Sequence, residues 1–375
     1  MALETALCER RRRSGPSTGL HVATDRQQRE SRSAAAETRR RSGVVAIVAA
    51  PKCGVASASL QVSRGVLLRR SRGGDTQVQA SEARRAVAAA RATASALGLA
   101  VDDAVVLSDS NRLVVRLTPC DVVARVTPPG SLTPAAARAS WLSGEAYRAR
   151  LTTEVEVVSR LAENDSPVAG LEPRFEPRVF MSDGFAITMW TYFEPVRRML
   201  PAAEYARALG RLHAGMRQID VATPHFMDRV AATQHDVASR DVTPDLAETD
   251  RAFLANTLRD LREAIVSRRA AEQILHGEPH PGNVLKTKNA PLFMDFEDAV
   301  RGPVEFDLAW VPKEVSERYP DADQELLDEC RGVVLAIIAT HRWSRDDQHP
   351  SGRQSGVAFL NAVREGPPWR SLNTV

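Results

Sequence analysis

Between residues 104 and 126 the chain alternates short β-branched runs with polar breaks. Ala104-Val105-Val106-Leu107, Leu113-Val114-Val115-Arg116-Leu117 and Val122-Val123-Ala124-Arg125-Val126 are separated by Ser108-Asp109-Ser110-Asn111-Arg112 and Thr118-Pro119-Cys120-Asp121. Runs of that length joined by such turns pair with their neighbours, so an antiparallel meander is predicted. The period then changes. Across residues 151–161, Val157, Val158 and Leu161 fall at helical spacing, with Glu154 one turn before them. Two further strand-like runs, Arg178-Val179-Phe180-Met181 and residues 185–193, would complete a five-stranded unit.

Helical periods dominate the rest. Tyr205, Leu209, Leu212 and Met216 recur at i, i+4, i+7 and i+11. Leu246, Leu254, Leu258, Leu261 and Ile265 line one face of a segment that Thr243-Pro244-Asp245 is expected to open. A final helix shows Leu326, Leu327, Cys330, Val333, Val334, Ile337 and Ile338 on one stripe, and a polar, Pro-containing end near Trp369 closes the chain. Ahead of the meander, Ser81-Glu82 opens an Ala-rich helical stretch that ends near Gly98. Strands first and helices afterwards make the expected fold class α+β.

Composition sharpens the domain picture. The 375 residues are 43% hydrophobic, enough for about two domains and a sizeable core. The longest early apolar run, Val44 to Ala50, falls well short of a membrane span, so no membrane partner is expected. Cys8, Cys53, Cys120 and Cys330 lie far apart, which indicates neither a zinc site nor a disulfide framework and favours a reducing, cytoplasmic setting. Charge is distributed unevenly. Residues 1–80 carry fifteen Lys or Arg against six Asp or Glu, a balance of +9, whereas the remainder carries 35 against 41, a balance of −6. Arg10 to Arg13 and Arg39 to Arg41 sit among Ser, Ala and Gly with little periodicity, so residues 1–80 are expected to be a basic, disordered extension. Three roles stay open for it: contact with nucleic acid or anionic lipid, a transit peptide, or an extension upstream of the natural start with no role. Nucleic acid is expected to bind nowhere else, and a monomer or weak dimer is expected.

The chemistry concentrates in His276-Gly277-Glu278-Pro279-His280-Pro281-Gly282-Asn283, followed twelve residues later by Asp295-Phe296-Glu297-Asp298 at the end of the apolar run Pro291-Leu292-Phe293-Met294. A phosphoryl-transfer site needs these parts at this spacing: a loop carboxylate for a substrate hydroxyl, an amide oxygen five residues on for a metal, and a second carboxylate from the next hairpin for that metal. Mg²⁺ takes hard oxygen ligands and is held by one or two side chains plus phosphates and water, so Asn283 and Asp295 suffice. Pro279, Pro281 and Gly282 fix the loop path.

On these residues the chain resembles the aminoglycoside phosphotransferase and choline kinase family, whose pattern reads His-Gly-Asp-x-x-x-x-Asn and then Ile-Asp-Phe/Trp-Glu. The resemblance covers residues 81–375 and implies a bilobal protein-kinase-like fold. It would have a nucleotide-binding small lobe over residues 81–190 with an antiparallel five-stranded sheet and a helix, and a mostly helical large lobe over residues 191–375. It further implies ATP or GTP and Mg²⁺ as cofactors and a small-molecule hydroxyl as acceptor. Arg125 would stand where the strand-three cation pairs with phosphates, Glu154 would fix it, and Ser110 and Asn111 would cover the phosphates. Met189, Trp190 and Thr191 would form the hinge that meets adenine, and His276 and Asp307 would support the loop. One position departs: Glu278 stands where the catalytic Asp is usual. The extra methylene shifts the carboxylate by roughly 1.5 Å, a displacement that matters for alignment. Either the loop is set back to accommodate Glu278, or the protein is a nucleotide-binding pseudoenzyme or regulatory partner with little turnover.

Overall fold

The computed structural model describes residues 75–109, 112–128, 144–347, 349 and 351–375. Helix α1 (Asp75–Ala96) leads into strands β1 (Val101–Asp109), β2 (Leu113–Pro119) and β3 (Val122–Thr127). Helix α2 (Gly144–Glu163) and strands β4 (Phe180–Ser182) and β5 (Phe185–Thr191) follow. The strands form one antiparallel sheet in the order β1-β2-β3-β5-β4. Alternation decides its faces. Leu113, Val115 and Leu117 of β2 and Val122, Ala124 and Val126 of β3 are buried in one cluster with Ala86, Ala89, Ala90 and Ala94 of α1, so the intervening Val123 and Arg125 point the other way. The β4–β5 turn is Asp183-Gly184 with φ of 50° and 79°, the positive values that a tight two-residue hairpin requires.

The sequence expectation placed the start of α1 at Ser81, but the described residues are already helical from Asp75. No Gly or Pro lies between the two positions to break the helix there. Gly98, at φ 79°, ends the helix as expected. The basic extension, up to residue 74, and the turn residues Ser110 and Asn111 lie outside the described residues.

The large lobe begins with α3 (Ala202–Met216), α4 (Phe226–Ala238) and α5 (Glu248–Arg268). Short strands β6 (Gln273–Leu275), β7 (Val284–Lys286), β8 (Pro291–Phe293) and β9 (Val300–Gly302) come next, pairing as β6 with β9 and β7 with β8. Helices α6 (Val304–Leu308), α7 (Lys313–Ser316), α8 (Gln324–Trp343) and α9 (Gly352–Glu365) complete it. Tyr205, Leu209, Leu212 and Met216 are buried, as are Leu254, Leu258, Leu261 and Ile265 and the α8 stripe apart from the half-buried Ile338, in one continuous core.

Two helix expectations need correction. Helix α5 starts at Glu248 and not at Thr243-Pro244-Asp245. Thr243 is instead buried against Arg251, whose Nη1 donates to its Oγ1 and whose Nη2 donates to its carbonyl, both at 2.8 Å, so the guanidinium holds this segment outside the helix. Helix α8 is also not the last. In α9, Phe359, Leu360 and Val363 are buried among Gly, Ser and Arg positions that dilute the stripe, and a Cβ on Gly356 would lie 3.1 Å from the Arg342 Cβ.

Candidate active site

Strands β6 and β9 hold the two ends of the site together, with Leu275 opposite Val300. The loop that leaves β6 is then fixed by one carboxylate. Asp307, fully buried on α6, accepts the backbone N–H of His276 at 2.9 Å and of Gly277 at 2.8 Å. It also meets His213 Nε2 at 3.0 Å, and His213 Nδ1 meets the Tyr319 hydroxyl at 2.8 Å. A carboxylate at 307 requires the proton on Nε2, so Nδ1 accepts from Tyr319. Three donors on one buried carboxylate make a rigid anchor. His213, fully buried on α3, is part of it.

Gly277 has φ 89°, and a Cβ there would sit 1.8 Å from the Asp298 carbonyl oxygen, so the loop and the chain after β8 touch backbone to backbone. The His276 ring joins the same two segments. Its Nε2 lies 3.0 Å from the Met294 carbonyl oxygen, its Nδ1 accepts from the Glu278 N–H at 3.3 Å, and its ring lies 4.4 Å from that of Phe296. Burial lowers its pKa against the pull of Asp307 and Asp295, which suits a neutral ring that donates on one side and accepts on the other.

Asn283 sits at the start of the β7–β8 hairpin, in which Val284 faces Phe293. Its carbonyl accepts the Met294 N–H at 3.0 Å, which places Asp295 one residue from the contact. The Asn283 side chain donates Nδ2 to the Glu278 carbonyl at 3.0 Å, so its oxygen is the end left for a cation. Glu278 itself accepts on Oε1 from Arg229 Nη2 of α4. Tyr205 of α3 donates to the Pro279 carbonyl and pins the middle of the loop.

Asp295, with φ 71°, faces the small lobe. Its Oδ1 accepts from Arg125 Nη2 at 2.5 Å and from Arg112 Nη2 at 2.7 Å. Arg125 Nη1 reaches Glu154 Oε1 at 2.5 Å, and the same oxygen accepts the Phe296 N–H at 3.1 Å. Arg112 also meets Glu297 Oε1 at 2.7 Å and Glu154 Oε2 at 3.6 Å. Two guanidiniums thus face three carboxylates. Burial opposes ionisation of Asp295, but Arg112 and Arg125 outweigh it and hold its pKa below the usual carboxylate range. Burial pushes Glu297 up to about 7, helped by Asp295 and Asp298 against the pull of Arg112. Arg125 stays firmly charged: burial and Arg112 work against it, and Glu154, Asp295 and Glu297 override them.

Arg112 was read from sequence as a turn residue. The signal lay in strand parity: β2 buries its odd positions against α1, so Arg112 falls on the face of Val114, which pairs with Arg125. Arg229 was missed altogether. It lies inside the buried stripe of α4 with Phe226, Met227 and Val230, where a cation needs a partner.

The expected hinge residues are placed at the end of β5. Met189 is buried in the small-lobe core, and Trp190 Nε1 donates to Thr188 Oγ1 at 2.8 Å. The segment after α2 runs along this end of the strand: Glu172 N–H donates to the Met189 carbonyl at 3.1 Å and Thr191 N–H donates to the Gly170 carbonyl at 3.0 Å. Tyr192 N–H goes to Asp121 at 3.1 Å. These backbone groups are therefore committed within the small lobe, and the chain between the lobes runs without regular structure from Tyr192 to Pro201. Glu248 pairs with Arg240 and Asp250 with Arg364, while Asp241 is exposed.

Residues 102–332 match the family model described as APH, phosphotransferase enzyme family. No curated protein matches the sequence. Among solved structures, the amicoumacin kinase hAmiN in complex with AMP-PNP, Ca²⁺ and Ami is similar at TM-score 0.55 and 11% identity over 77% of this chain and 96% of that one. The GDP and kanamycin complex of APH(2")-IIia is similar at TM-score 0.52 and 15% identity, over 72% and 95%. The choline kinase LicA from Streptococcus pneumoniae is similar at TM-score 0.55 and 11% identity, over 74% and 96%. At these identities the likeness speaks to the fold, which is kinase-like with a five-stranded antiparallel sheet and a helical lobe. With a family match across most of both lobes, this chain belongs to the phosphotransferase enzyme family.

Proposed function

We propose that the protein transfers the γ-phosphoryl group of ATP or GTP to a hydroxyl of a small molecule. The observation that carries this reading is the Arg125 bridge, 2.5 Å to Glu154 and 2.5 Å to Asp295, which joins a small-lobe cation to a carboxylate kept ionised beside the loop of Glu278 and Asn283. Such a reaction asks for alignment and charge neutralisation more than covalent chemistry. Arg125 supplies positive charge for the phosphates, in a form that never deprotonates. Glu278 Oε1 is taken by Arg229, and Oε2 is the oxygen that orients the acceptor hydroxyl and receives its proton late.

The donor set suits a divalent cation. Asn283 has spent its nitrogen on Glu278, leaving an oxygen, and Asp295 keeps Oδ2 beside the oxygen held by the two arginines. Both are hard oxygen ligands of the kind Mg²⁺ takes. When bound there, Mg²⁺ would neutralise phosphate charge. The AMP-PNP and Ca²⁺ bound to the amicoumacin kinase and the GDP bound to APH(2")-IIia support nucleotide and divalent-cation use here.

The test is an ATP- and GTP-coupled turnover screen of the full chain with pools of amino sugars, amino alcohols and nucleosides, run beside Glu278→Gln. The expected outcome is at least one pool that stimulates turnover, with Glu278→Gln slower by about 10²-fold and nucleotide affinity nearly intact. If nucleotide raises the melting temperature but no pool is phosphorylated, the regulatory binder is the better reading.

A further inference from the structure

Helix α4 opens with a capping box: His225 accepts the Met227 N–H at 3.2 Å and Asp228 accepts the His225 N–H at 3.1 Å. Its buried stripe is Phe226, Met227, Val230, Thr233 and Val237, and Arg229 lies within it at 8% exposure. A cation buried in an apolar stripe is costly unless it is paired. Among the described residues Arg229 has one side-chain hydrogen bond, from Nη2 to Glu278 Oε1, and Nη1 is buried without a hydrogen-bond partner. Its remaining support is the Trp310 ring, whose centroid lies 4.9 Å from Cζ, together with the charge of Asp298. Burial works against the Arg229 charge, and Glu278 and then Asp298 outweigh it. A pair built for stability alone would engage both forks of guanidinium and carboxylate. Here one nitrogen holds one oxygen, and Oε2 carries no hydrogen bond among the described residues.

We infer that Arg229 is a positioning residue for Glu278: fixed on the Trp310 ring, it clamps Oε1 so that Oε2 faces the acceptor hydroxyl, fitting a glutamate to a place where aspartate is usual. The inference rests on the reading of Glu278 as the carboxylate that meets the hydroxyl. Glutamate has one more rotatable bond than aspartate and reaches roughly 1.5 Å further, so a fixed outside contact replaces the alignment that the shorter stem supplies by itself. Arginine suits the task better than lysine, because its planar head stacks on an aromatic face while one edge donates.

The experiment uses the full chain with Mg²⁺ and ATP and measures steady-state ATP hydrolysis, water standing in for the acceptor. Arg229→Met keeps the stem on Trp310 and removes the clamp; kcat is expected to fall about 10²-fold while KM for ATP changes less than about twofold. Arg229→Lys is expected to recover roughly tenfold of that loss, and millimolar guanidinium is expected to raise the rate of Arg229→Ala. Because the two residues act as one unit, Arg229→Met combined with Glu278→Gln is expected to be no slower than Glu278→Gln alone. Arg229→Met turning over within twofold of the parent while Glu278→Gln is impaired would overturn the inference and leave the proposed function standing, as would losses that multiply in the double variant. Glu278→Gln with undiminished ATP turnover would instead remove the reading on which the inference rests. Circular dichroism of each variant separates these outcomes from unfolding, and Arg229→Lys carries the test if Arg229→Met does not fold.

Discussion

The two sides of the loop use charge differently. On the phosphate side, Arg112 and Arg125 from the small lobe meet Glu154, Asp295 and Glu297 in a network with contacts of 2.5 to 3.6 Å. On the acceptor side, Glu278 forms its ion pair with Arg229 alone among the described residues. The first arrangement spans both lobes and sets carboxylates beside the metal-facing oxygen of Asp295, so it suits a site that gains further positive charge from a metal. The second is neutral as a pair and leaves one oxygen open. A network tolerates the loss of a member by redistribution, whereas a lone pair has no substitute, so the two sides should fail differently.

The largest contrast is expected from Asp295→Ala set against Glu278→Gln. Asp295→Ala should lower turnover by about 10³-fold or more and abolish Mg²⁺-dependent nucleotide uptake in calorimetry, while the protein stays folded because two cations then face two carboxylates. Glu278→Gln should lose turnover only. Equal magnesium-assisted nucleotide affinity in Asp295→Ala and the parent would break the comparison.

Glu154→Gln should act on stability first. Glu154 is fully buried, accepts from Arg125 at 2.5 Å and holds the Phe296 N–H at 3.1 Å, so removing its charge weakens both contacts in a buried site and leaves Arg125 to Asp295. A loss of about 3 kcal/mol in urea unfolding is expected, with nucleotide affinity weakened by roughly tenfold. A variant as stable as the parent would mean that the network does not depend on its buried member.

The smallest effect sharpens the acceptor side. Asp236, on α4 seven residues after Arg229, has its pKa raised to about 6 by burial, with His235 opposing. A folded-state pKa above the unfolded value means that the folded protein holds the proton more tightly, so this group's contribution is intact near pH 4, is lost as pH rises toward 6, and is flat above that. Asp236→Asn should therefore be more stable than the parent by about 1 kcal/mol at pH 7, with the difference vanishing near pH 4 in denaturant titrations. A difference independent of pH would show that Asp236 is not desolvated in the folded state.

Much of this layout can be read from local pattern. The three-strand meander, the amphipathic α3 and the α8 stripe follow from periods of 2 and 3.6, because alternation and turn chemistry act within a few residues. The loop of Glu278 and Asn283 and the hairpin of Asp295 are legible for a similar reason: the pattern that carries them is a short run of residues at fixed spacing. Where long-range contacts decide, reading failed. Helix α5 starts late because Arg251 captures Thr243, and α9 was missed because its buried face is recognised only beside α8.

Local pattern along the chain sufficed for the meander, for α3 and α8, and for the spacing of the chemical groups along the loop and hairpin. The tertiary structure alone decided which of the 50 Lys and Arg residues serve them. Arg112 meets Asp295 across 183 residues, Arg125 meets it across 170, and Arg229 meets Glu278 across 49. Coulomb attraction depends on distance through space and on burial, and neither is set by position along a chain until the fold has closed.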